Sequence, residues 1–250
     1  MTGRQREDME TADGGCCPIV ELRQYTLHPG QRDVLVGLFD RAFVESQEAA
    51  GIRVIGQFRD LDAPDRFVWL RGFPDMASRA EALKAFYGGP DWFAHRDAAN
   101  ATMIDFDDVL LLRPANPAWG FALGGLERPA PGAAGANDRI VVAVVYTAFA
   151  PIPPGRVLDA FSVVRPALEA GGGPSLAAFV TEDSPNTFPA LPVREGEHAC
   201  ALFVGLSRAH GIDDRDLLHG WAATVAAAVG ANEPPLVLRP EPTPRSLLRG

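Results

Sequence analysis

The chain lacks most of the features that would give its chemistry away. It has three cysteines. Two of them, Cys16 and Cys17, are adjacent, so neither a disulfide framework nor the paired spacing of a zinc site can be built from them. One lysine occurs, Lys84, and the other basic residues are arginines scattered among acids. With a formal net charge of −9, the chain has no clustered basic surface of the kind that nucleic acid or an anionic membrane demands. No apolar run approaches the roughly 20 residues of a membrane helix. There is no Gly-x-Ser-x-Gly elbow, no phosphate loop and no His-Glu-x-x-His. Gly171-Gly172-Gly173-Pro174 follows a helical pattern and reads as a helix stop, not a nucleotide cradle. Residues 1–17 are polar and acidic for most of their length and lack a signal-peptide core. They read as a disordered tail, and the whole chain as cytoplasmic.

What is present is a repeat. Of the 250 residues, 47% are hydrophobic and 22% charged, the balance of a soluble globular protein of one large or two ordinary domains. Residues 20–27 alternate in the manner of a strand, with Glu21, Arg23 and Tyr25 on one face and Val20, Leu22 and Gln24 on the other. Pro29-Gly30 follows, then an amphipathic helix over 31–49 that stops at Gly51. Strands at 52–59 and 67–73, a helix over 76–86 that resumes at Asp91 and runs to Ala101, and a strand at 109–112 complete the order β-α-β-β-α-β, that of a ferredoxin-like unit. The segment 114–138, rich in Pro, Gly and Ala, reads as a linker. The same order then recurs: strand 140–149, helix 155–170, strands 175–181 and 198–206, helix 213–229, strand 235–239. The fold class is therefore α+β, with ferredoxin-like repeats over 18–113 and 139–250. The turn at 182–197, which holds three prolines, is either a flap over one end of the sheet or a long surface loop.

Helices cover only one face of each such sheet. Two sheets in one chain can cover each other, closing a barrel-type fold whose interior becomes the expected ligand site. Aligned on Tyr25-Thr26 and Tyr146-Thr147, the repeats place Val142 opposite Glu21 and Val144 opposite Arg23. Leu202 and Val204 fall opposite Trp69 and Arg71. Polarity is concentrated in the first repeat, so a single asymmetric site is expected.

Val20-Glu21-Leu22-Arg23-Gln24-Tyr25-Thr26-Leu27 with Pro29-Gly30 resembles the opening signature of the NIPSNAP family. Tyr87-Gly88-Gly89-Pro90 with Trp92, then Asn100, Met103 and Asp105 leading into Leu110-Leu111-Leu112-Arg113-Pro114, is similar to the same family. So are Leu238-Arg239-Pro240 and Pro244-Arg245-Ser246-Leu247-Leu248. The resemblance implies the dimeric α/β-barrel superfamily, here with both barrel halves in one polypeptide. That superfamily spans cofactor-independent oxygenases, isomerases, cyclases, haem enzymes and proteins without known chemistry, so it implies a fold before a reaction.

Glu21, Arg23 and Tyr25 are the first candidates, as base, anion anchor and hydrogen-bond donor. The alternative is a buried Glu–Arg pair that fixes register. His95 is the candidate proton carrier, with axial ligation of a haem a further possibility, and His198 competes with it. Trp69, Arg71, Trp92 and Tyr146 are candidate substrate contacts. No metal site is expected. Two functions remain open: a small-molecule enzyme or binder working in the barrel interior without nucleotide or metal, by isomerisation, cyclisation or cofactor-independent oxygenation, or a non-enzymatic assembly protein. The expected partners are a small substrate and a possible second copy of the chain.

Overall fold

The computed structural model describes residues 17–133, 138–170, 175–207 and 215–249. The expected tail up to residue 16, the glycine stop at 171–173 and the start of the last expected helix lie outside them.

The first repeat runs β1 (Ile19–Leu27), α1 (Arg32–Leu38), a π-helical turn (Phe39–Phe43), α2 (Val44–Ala49), β2 (Arg53–Asp60), β3 (Arg66–Phe73), α3 (Met76–Tyr87), α4 (Pro90–Asn100) and β4 (Met103–Pro114). Local chemistry sets the boundaries. Gly51, at φ +91°, supplies the left-handed residue that ends the first helical stretch. Asp75 caps α3 by accepting a hydrogen bond from the Ser78 backbone N at 2.6 Å. Pro90 opens α4, where its missing N–H costs nothing. The second repeat follows the same order, β5 (Arg139–Ala148), α5 (Pro154–Ala170), β6 (Ser175–Thr181), β7 (His198–Ser207), α6 (Arg215–Val229) and β8 (Leu236–Leu238), and adds β9 (Pro240–Pro242).

The nine strands form one antiparallel sheet in the order β8-β5-β7-β6-β4-β1-β3-β2-β9. Two seams join the repeats. At one, β4 pairs with β6 through Leu112 and Thr181. At the other, a single stretch of chain serves both edges, since β8 pairs with β5 and β9, two residues later, pairs with β2. The sheet thus closes within one chain. No helix among the described residues is long and apolar enough to cross a membrane.

The interior corrects an expectation. Val20, Leu22, Val68, Leu70, Leu110 and Leu112 point into it from the first repeat, and Val141, Ala143, Val145, Phe179, Ala201 and Phe203 from the second, all buried. The barrel is filled with hydrocarbon where a ligand was expected. The segment expected as a linker contributes to that filling. Phe121 and Leu123 are buried there, with the Phe121 ring 5.0 Å from both Phe179 and Phe203. Two apolar anchors inside a Pro- and Gly-rich stretch turn it into a plug.

Candidate functional site

Strand alternation, not sequence separation, decides where the polar trio goes. With Val20 and Leu22 committed to the interior, Glu21, Arg23 and Tyr25 face the helices of the first repeat. In the β1–β3 register Arg23 lies beside Trp69 and Glu21 beside Arg71, so both candidates on β3 share that face. Helix α3 covers them and brings a fourth charge. Arg79 lies on the same buried stripe as Ala82, Leu83 and Phe86.

The four charged side chains form one cluster, all at 0% exposure. Glu21 Oε2 accepts from Arg23 Nη1 at 2.6 Å and from Arg71 Nε at 2.7 Å, while Oε1 accepts from Arg79 Nε at 2.7 Å. One carboxylate therefore serves three guanidiniums, leaving a formal excess of two positive charges out of contact with solvent. Each guanidinium also keeps a buried Nη2 without a hydrogen-bond partner among the described residues. Aromatic faces take up part of the charge. The Arg23 and Arg71 guanidiniums lie 5.5 Å and 5.0 Å from the Trp69 ring centre.

Two of the chain's three tyrosines stand between this cluster and a cavity. Arg23 Nε donates to the Tyr25 hydroxyl at 3.0 Å, and Arg71 Nη1 to the Tyr87 hydroxyl at 3.4 Å. Each phenol thus receives a hydrogen bond from a cation and keeps its own proton to donate. Both line a cavity of about 30 Å³ together with Trp69, Gln47, Phe39, Phe43, Phe86 and Trp92. The indole N–H of Trp69 and the side-chain oxygen of Gln47 are buried and unpartnered among the described residues. The π-helical turn shapes this wall by setting Phe39 and Phe43 edge to face, 5.4 Å apart, over the cavity.

Electrostatics assigns the roles. Burial pushes the Glu21 carboxyl up, but Arg71, Arg23 and Arg79 together hold it well below the usual carboxylate range. It stays ionised, fully engaged, and unsuited to taking a proton, which corrects its expected role as base. Its work is to hold the arginines. Burial raises the Tyr25 phenol against the pull of Arg23 and Arg71, so Tyr25 remains a donor. Burial and the neighbouring Arg71 and Arg23 pull Arg79 down against the support of Glu21.

The other candidates fall outside the cluster. His95, on α4, is half-buried and meets Phe43 edge-on at 6.2 Å, one layer behind the cavity wall. The cavity has room for a water or two, far short of a porphyrin, and His95 does not line it; the site as built does not fit a haem. His198 borders a separate pocket of about 130 Å³ with Arg113 and Asp183. Tyr146 occupies the place in the second repeat that Tyr25 holds in the first, but hydrocarbon surrounds it. Val144 and Leu202 pair where Arg23 and Trp69 pair, and Val142 and Val204 where Glu21 and Arg71 pair. Tyr146 is thus a core residue and not part of the site. Beside it, burial pushes the Cys200 thiol up to about 12, so the thiol is inert. Among the described residues no group of three or more His, Cys, Asp or Glu side chains could hold a metal ion.

Three further contributors complete the site, and the first two escaped the sequence reading. Arg79 could have been suspected from its place in an otherwise apolar stripe of α3. Tyr87 was visible only as part of a motif. The third is the 182–197 segment of the second repeat, which crosses to the first. Arg79 Nη1 donates to Asn186 Oδ1 at 3.0 Å and to Thr187 Oγ1 at 3.2 Å, and the Phe188 ring stacks on Tyr87 at 5.9 Å. The segment covers the site, as a flap would.

The chain is similar to known proteins at two levels. The NIPSNAP family profile matches residues 20–117. A NIPSNAP family protein of unknown function from Agrobacterium tumefaciens is 18% identical over 38% of this chain and 86% of its own, with a TM-score of 0.36. A second from that organism is 21% identical over 38% and 91%, also at 0.36. An anthrone oxidase-like protein is 14% identical but covers 92% of this chain and 93% of its own at a TM-score of 0.53, which shows the shared fold. No curated protein matches the chain. The NIPSNAP match is thus confined to residues 20–117, within a chain whose overall fold is of the dimeric α/β-barrel type.

Proposed function

We propose that the chain is a small-molecule enzyme or binder that takes an anionic or enolisable compound into the pocket between the sheet and the helices of its first repeat. The observation that carries this reading is the buried excess of positive charge, three guanidiniums on one carboxylate with three Nη2 groups unpartnered among the described residues. Burying charge is costly unless it is compensated, and an anionic ligand compensates it. The Tyr25 and Tyr87 hydroxyls and the Trp69 N–H give three neutral donors backed by cations, a suitable set for an oxyanion such as an enolate or phenolate. Isomerisation by enolisation, aldol-type cyclisation and oxygenation of an enolate or phenolate that itself activates oxygen each pass through such an anion. Neither a nucleotide nor a metal is needed to stabilise it. The fold shared with an anthrone oxidase-like protein is compatible with this class.

The test uses 4-nitrophenol as a titratable probe. Bound, it should ionise at least one pH unit lower than in free solution, a preference worth about 1.4 kcal/mol for the anion. Arg71→Met and Tyr87→Phe should remove most of that shift. A probe that binds with unchanged ionisation, or not at all, sinks the reading. The assembly alternative draws on the exposed Ile104, 58% accessible, on β4.

A further inference from the structure

The cavity is too small for an organic anion, and the Arg79–Tyr87 side of the site is covered by an element of the other repeat. Resting on the reading of the site above, we propose that the 182–197 segment is a movable cover that occupies the site in place of its ligand, and that Phe188 selects flat aromatic anions. The segment has no helix or strand. It is tied to β4 near its two ends, where Glu182 N donates to Leu111 O and Arg194 N donates to Val109 O, both at 2.9 Å. Between those anchors it is held to the first repeat by side-chain groups. Asn186 and Thr187 accept from Arg79, Thr187 Oγ1 donates to Met76 O at 3.1 Å, and Phe188 lies on Tyr87.

That combination matches what an aromatic acid would bring: a ring for Tyr87 and oxygen acceptors for Arg79. Asn186 and Thr187 offer neutral acceptors, and a carboxylate or phenolate is the stronger partner for a guanidinium. An aromatic anion can therefore displace the cover group for group, its ring replacing Phe188 and its oxygens replacing those of Asn186 and Thr187. An aliphatic anion gains the second exchange without the first. The second repeat, whose own core is hydrocarbon, then contributes to function by supplying this cover.

Iodide quenching of tryptophan fluorescence tests the cover without any ligand. In a Trp119→Phe/Trp221→Phe background, Trp69 and Trp92 report on the site. Phe188→Ala and the pair Asn186→Ala/Thr187→Ala should each raise the quenching constant about fivefold. They should raise the association rate of 4-nitrophenolate about tenfold, since hydrogen bonds to a charged group carry free energies of that order. Phe188→Tyr keeps the ring and should match the parent. In the unmodified chain, amides at 186–191 should exchange hydrogen ahead of β6 and β7, which holds the test even if a variant fails to fold. Unchanged quenching in both variants, or exchange of 186–191 only with global unfolding, overturns the cover. Raised quenching with no probe binding keeps the cover and overturns the ligand reading, so the two fail separately.

Discussion

A carboxylate shared by three guanidiniums answers substitution asymmetrically. Were Arg23 the only partner of Glu21, its removal would strand a buried charge. With Arg71 and Arg79 also bonded to Glu21, removing one arginine leaves the carboxylate paired and lowers the excess positive charge from two to one. Arg71→Met should therefore cost about 1 kcal/mol or less, mostly through lost packing on Trp69. Glu21→Gln does the opposite, leaving three cations together in a dry site, and should cost roughly 3–5 kcal/mol. Urea melts of the two variants check the order, and equal losses would contradict it. The pH dependence has a definite sign. The Glu21 pKa is depressed on folding, so its stabilisation is complete above the unfolded carboxyl value near 4.3 and is lost only as pH falls toward the lower folded value. Glu21→Gln should flatten that acid limb.

At the scale of the element, β1 and β5 show what alternation can and cannot reveal. The order of strands and helices was legible because turn residues and periodicity mark it, as at Pro29-Gly30 and Gly51. The grouping of Glu21, Arg23 and Tyr25 on one face, and the contrast with Val142 and Val144, were legible too. Which face looks inward was not. Both faces of β1 carry residues able to be buried, and only pairing with the second repeat commits Val20 and Leu22 to the interior. Strand β9 was hidden because its two prolines argue against a strand, and it is tolerated at this short seam. Arg79, Asn186 and Thr187 were hidden because they reach the site from a helix and a loop remote in sequence. The contrast between β1 and β5 makes a prediction. Val142→Glu recreates the acid in the second repeat without its arginines, facing Val204 and Leu202 instead. It should cost more than 4 kcal/mol, among the larger effects of a single substitution, or prevent folding. Circular dichroism melts check it, and a variant within 1 kcal/mol of the parent would show that this face hydrates.

For the whole molecule, closure is internal. The β4–β6 seam and the stretch shared by β8 and β9 join the repeats inside one chain, so barrel closure needs no second copy. The same geometry forecasts the behaviour of the first repeat alone. Residues 17–115 would expose Val20, Leu22, Val68, Leu70, Leu110 and Leu112 together, a continuous apolar sheet face that the second repeat covers in the intact chain. An apolar sheet face must be buried against something, and the best complement available is the same face of another copy, paired through the free β4 edge. The excised repeat should therefore sediment as a homodimer. Leu22→Glu, placing an unpaired charge in that interface, should abolish the dimer and with it the fold. Without residues 182–197 such a dimer would lack the cover, leaving Trp69 and Trp92 open to iodide. Sedimentation equilibrium together with quenching reads both properties. A stably folded monomer would show that the sheet face can be satisfied without a partner, and that the second repeat is present for some reason other than closing the barrel.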